Sequence, residues 1–81
     1  MLPVSKEMHV FLVELYQDDD IVRTFVAYDK VSAVITGMQQ LGKYIELVYS
    51  SVRADKDGRH ETWLAVPGVS DSVRIRQVPC V

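Results

Sequence analysis

Apolar residues recur along this chain with two different periods, and the change of period divides it into elements. His9–Tyr16 (HVFLVELY) and Ile21–Ala27 (IVRTFVA) are rich in β-branched and aromatic residues and read as two strands. The turn between them, Gln17–Asp20 (QDDD), makes the pair a hairpin with a four-residue loop. From Asp29 to Gly42 (DKVSAVITGMQQLG) the period lengthens. Val31, Val34, Ile35, Met38 and Leu41 fall at i, i+3, i+4, i+7 and i+10, the spacing of one apolar stripe on a helix. Asp29 suits the N-cap, because its carboxylate can accept from free amides of the first turn. Gly42 sits where a left-handed residue ends a helix. Strand character returns in Tyr44–Arg53 (YIELVYSSVR), His60–Val66 (HETWLAV) and Ser72–Val78 (SVRIRQV). Asp55-Lys56-Asp57-Gly58 suits a type I turn closed by a glycine bulge, a register that sets Arg53 opposite Glu61 and Ser51 opposite Trp63.

The element order is therefore ββαβββ, and the hairpins imply an antiparallel sheet with one helix packed on a face: an α+β fold in a single domain, 1–81. Met1–Glu7, with Pro3, reads as a loose lead-in. If the fifth strand pairs beside the fourth, Ile45, Leu47, Tyr49, Trp63, Ala65, Val73 and Ile75 share the face that seats the helix stripe. Val48, Val52, Leu64 and Val66 then fall on the other face, where one short helix cannot cover them. An uncovered apolar face is the mark of an interaction surface, here a second copy or a target; a curled sheet covered by the N-terminal segment is the alternative.

The outer face of the helix adds to this expectation. Ala33, Thr36, Gly37 and Gln40 are small or neutral, and the Ala33–Gly37 spacing would let another backbone approach closely. This face is a candidate partner-binding surface, weighed against a plain solvated face with a tolerated glycine. Asp18, Asp19 and Asp20 are a second candidate, an acidic turn able to meet a basic patch.

Composition narrows the classes. The apolar share of 48% supports a core, and disorder is not expected. A net charge of −2 argues against binding dominated by phosphate contacts, although Arg74 and Arg76 share one side of the last strand near Trp63 and Tyr44. Such an arginine and aromatic face is the basis of an alternative reading as an RNA- or DNA-binding module. Glu14, Glu46 and Glu61 are placed to neutralise it. Cys80 is the only cysteine, so neither an internal disulfide nor a multi-cysteine zinc site is available, and a reducing cytoplasm fits. No signal peptide or membrane span is expected.

Candidate chemistry is thin. The acidic turn offers too few fixed ligands for a metal site, and Asp55-Lys56-Asp57-Gly58 fails as a calcium loop because Arg53 and Leu64 occupy ligand positions. His9 and His60 have no metal-binding spacing, and His60-Glu61 puts its two side chains on opposite faces of a strand. Gly68–Ser72 lacks the lysine and helix of a phosphate loop. No nucleophile elbow is present, and Cys80 has no base. The expectation is a non-enzyme with no cofactor and no metal.

In its size, its strand-rich layout around DKVSAVITGMQQLG, its QDDD turn and its lack of a catalytic signature, the chain resembles small accessory proteins of bacteriophages and mobile elements, including anti-CRISPR proteins. The resemblance implies a stoichiometric inhibitor that occupies a surface of a host protein such as a CRISPR-Cas component. It carries over no functional residues. The expected function is a self-associating (dimeric) interaction module with a protein target.

Overall fold

The strand that comes last in sequence lies in the middle of the sheet. The computed structural model describes residues 9–79. Its elements are β1 (His9–Gln17), β2 (Asp20–Ala27), α1 (Lys30–Gln40), a 3₁₀ segment (Gly42–Leu47), β3 (Tyr49–Ala54), β4 (His60–Ala65) and β5 (Asp71–Pro79). The strands form one antiparallel sheet in the order β2-β1-β5-β4-β3, and α1 packs across one face. This is the expected α+β architecture. The lead-in Met1–Glu7 and Cys80 lie outside the described residues. Among the described residues no helix is long and apolar enough to cross a membrane.

Register decides which side chains form the core. Val13 faces Ile75, Leu15 faces Val73, and Val73 faces Leu64, so these residues share the helix side of the sheet. All are buried, together with Ala27, Ala33, Leu41 and Val66. The face expected from sequence is therefore inverted in part. Trp63 pairs with Arg74 on the open side, while Leu64 and Val66 belong to the core and Val48 packs against it. Of the four aliphatics assigned to an uncovered face, only Val52 is exposed, at 66%.

The helix is capped as expected: the Asp29 carboxylate accepts from the Ser32 amide at 2.7 Å and from its hydroxyl at 3.1 Å. It is rotated from the orientation expected. Ala33, Gly37 and Leu41 are the buried positions, Val34 and Met38 are half-buried, and Val31 is 69% exposed. A Cβ on Gly37 would stand 3.0 Å from Leu64 Cδ1 and 3.1 Å from Val73 Cγ1. The small residues thus face inward, because the sheet's large side chains already fill the interface and only a small helix surface can approach them.

Two connections also differ from the sequence reading. The Tyr44–Leu47 stretch is a 3₁₀ segment, not the start of β3; the Tyr44 amide donates to the Leu41 carbonyl at 2.7 Å, extending the helical turn beyond Gly42. The first hairpin closes on a two-residue loop, since Gln17 pairs with Asp20. Asp18 supplies the positive φ this needs, at 56°, a conformation aspartate tolerates.

The second hairpin has the expected register, with Arg53 opposite Glu61 and Ser51 opposite Trp63. Asp55 organises its turn: Oδ1 accepts from the Asp57 amide at 2.8 Å and the Arg59 amide at 2.9 Å. Chiefly the Arg59 hydrogen bond, against an opposing effect of desolvation, holds the Asp55 carboxyl below its usual pKa. A lowered folded-state value means that its stabilisation is full above the unfolded pKa and is lost as pH falls through the folded one. Asp55→Ala is expected to lower the hydrogen-exchange protection of the Asp57 and Arg59 amides, and acidification of the wild type should lower the same protection factors, each taken relative to the intrinsic rate at that pH. Unchanged protection factors in both conditions would show that the turn holds without this carboxylate.

Candidate functional site

The open face of the sheet carries a closed set of charges. β1, β5 and β4 place Glu14, Arg74 and Trp63 in one row, with Arg76 and Glu61 in the next. Glu14 Oε1 accepts from Arg74 Nε at 2.9 Å and from Arg76 Nε at 3.1 Å, and Arg74 also meets Glu61 at 3.3 Å. Glu14 is only 4% exposed despite lying on a face without a helix, because the long arginine side chains and neighbouring rings cover it. Burial would lower the Arg74 pKa; the Glu14 hydrogen bond and the Glu14 and Glu61 charges outweigh it and hold the guanidinium above its ordinary value.

Aromatic rings flank this cluster. Tyr16 and Trp63 stand 5.3 Å apart, centroid to centroid, and the Arg53 guanidinium lies 5.0 Å from the Trp63 ring. The structure thus brings together Arg74, Arg76 and Trp63, as the nucleic-acid alternative requires. Tyr44 is not among them: it sits half-buried against the core, and Tyr16 takes its place beside Arg74 at 5.5 Å. The arginines are matched by two carboxylates, however, which leaves little net charge to attract phosphates. The signal in the sequence was Glu14 itself, the one charge inside the apolar run of β1.

The candidate protein-binding positions divide. Asp18, Asp19 and Asp20 are exposed at the tip of the first hairpin, and the Asp18 amide donates to the Ser70 carbonyl at 3.3 Å. Among the described residues they form no metal-holding cluster with any other side chain. Ala33 and Gly37 are buried against the sheet and Thr36 and Gln40 are half-buried, so the helix face assigned to a partner is the inward one. That assignment is corrected by the geometry: small residues there serve helix-to-sheet packing within the chain.

The outward face of α1 instead presents Val31 and Ile35, one turn apart, next to the 81% exposed Tyr28. The 3₁₀ segment adds Ile45 and Leu47, also exposed. At the sheet margins, β2 and β3 are edge strands, with Ile21, Val22 and Val26 exposed on β2. Compared with protein-family models, with curated proteins and with solved structures, the chain finds no match.

Proposed function

We propose that this chain is a non-enzymatic module that acts by binding another macromolecule, a protein in the leading reading, and that it also self-associates. The observation that carries the proposal is the uncovered apolar surface. Val31, Ile35, Ile45 and Leu47 are each more than half exposed on the helix and the segment after it. Full burial of such a side chain contributes about 1.5–3 kcal/mol, so a partner that covers several gains a substantial part of a binding free energy. The acidic turn Asp18–Asp20 offers a second contact, able to orient a basic target surface. The likeness to phage accessory proteins in size and layout supports an inhibitor that occupies a host protein, such as a CRISPR-Cas component.

Native mass spectrometry of gently purified protein tests this reading. A dimer, or a complex with a protein, is the expected result; a monomer with no passenger at micromolar concentration contradicts it. The double variant Val31→Lys, Ile35→Lys should abolish that assembly while changing stability by no more than about 0.5 kcal/mol, because both positions face solvent. Reversal of the three aspartates to lysine should weaken capture of a protein target, and undiminished capture would remove the turn from the reading.

A nucleic-acid-binding module is the second reading, favoured by the Tyr16, Trp63, Arg53 and Arg74 cluster on the open face. It requires a nucleic-acid passenger and affinity that falls steeply with salt.

A further inference from the structure

The helix leaves one corner of its own face uncovered. It starts beside the end of β2, and by Gly37 it has crossed to Leu64 of β4, so the corner where β4 begins and β5 ends has no helix above it. A cavity of about 420 Å³ lies there, with Phe11, Val52 and Ile75 as apolar lining and Lys30 and His60 as polar lining. A second cavity of about 510 Å³ adjoins it, shares His60 and Gln77, and is lined also by His9 and Arg59. Both volumes fall in the range of small-molecule sites.

Among the described residues the chemistry of the lining is one-sided. Lys30, Arg59, His60 and Gln77 all offer N–H groups, and no described carboxylate lines either cavity. This is a local excess of donors and positive charge in a chain whose net charge is −2. An apolar floor beside such a wall is complementary to a molecule with an apolar body and a negative head. We propose that this corner binds a small organic anion, an apolar body headed by a phosphate or a carboxylate. Phe11, Val52 and Ile75 hold the body, His60 and Gln77, which line both cavities, orient the head where the two meet, and Lys30 of the first cavity and Arg59 of the second supply the positive charge on either side. The site is separate from the outward helix face, so its test is independent of the macromolecular reading.

The test is a titration of the ¹⁵N-labelled full chain, followed by backbone amide shifts, with phenyl phosphate, benzoate, inorganic phosphate and benzyl alcohol as probes. Expected are saturable shifts at Lys30, His60 and Gln77 with phenyl phosphate or benzoate, the tighter of the two naming the head group. The Lys30→Ala, Arg59→Ala variant should bind at least about tenfold more weakly, since each lost charge-assisted hydrogen bond is on that scale, with the rest of its spectrum unchanged. Absence of saturation with both aromatic anions overturns the proposal. So does equal binding of benzyl alcohol, which removes the head, of inorganic phosphate, which removes the body, or of the double variant, which removes the wall.

Discussion

Arg74→Ala is expected to destabilise the fold by about 2–3 kcal/mol, which for a domain of this size lowers the melting temperature by roughly 10–20 °C. The loss would come from the partners it strands. Glu14 is 4% exposed and Glu61 is 8% exposed, and both direct oxygens at Arg74. Breaking a buried pair leaves a charge without solvent or counter-ion, a penalty of about 3–5 kcal/mol when complete. Here Arg76 still holds Glu14 at 3.1 Å, so part of it is offset. Arg53→Ala is the control. Arg53 is exposed, its contact with Trp63 is a cation–π pair, and its loss should cost less than about 1 kcal/mol. Denaturant unfolding of the two variants separates them. A loss under about 1 kcal/mol for Arg74→Ala would mean that water reaches Glu14 readily and that the cluster is only a surface salt bridge.

Gly37→Leu should cost about 3 kcal/mol or more, by forcing α1 off the sheet. The Cβ alone would meet Leu64, Val73 and Ile75 at 3.0, 3.1 and 3.5 Å, and the branch beyond it has no room. Overpacking of a filled core costs about 1–3 kcal/mol for added methylenes and more when the backbone must move. Gly37→Ala sets two effects of similar size against each other. Alanine gains about 1 kcal/mol of helix propensity, whereas Leu64 Cδ1 and Val73 Cγ1, at 3.0 and 3.1 Å, must each give by a few tenths of an ångström; Ile75, at 3.5 Å, is in ordinary contact. Its net effect should stay within about 1 kcal/mol of zero. A stable, folded Gly37→Leu protein with wild-type unfolding behaviour would show that the helix does not seat on Gly37 as described.

The sequence made the order of elements, the helix cap at Asp29 and the β3–β4 register legible, because each is set by near neighbours in the chain. Arg53 and Glu61 needed only a turn between them. The rotation of α1 was not legible. Apolar spacing gives weight to the large residues Val31 and Ile35, whereas the observed contact is governed by how closely Ala33 and Gly37 let the helix approach. Tyr44–Leu47 alternates as a strand would, yet the chain here is still completing the turn that leaves the helix. The face of Trp63 depended on the β4–β5 register, where a shift of one residue turns every side chain over. Arg74 and Arg76 were found as a pair from their alternation. Glu14 and Glu61 were legible as their counter-charges; that Glu14 alone would meet both arginines was not, because it depends on β1 lying beside β5, sixty residues away in sequence.

The central position of β5 also bears on how the chain reaches this state. Residues 9–27 and 49–65 each form a hairpin, and β5 alone is bonded to both. While the ribosome is still making residues 71–79, the inner edges of β1 and β4 have nothing to pair with and Val13, Leu15 and Leu64 have no Val73 or Ile75 to close against. Closure of the sheet must therefore wait for β5, and its dependence on such distant pairings places this fold among the slower topologies for a domain of this size.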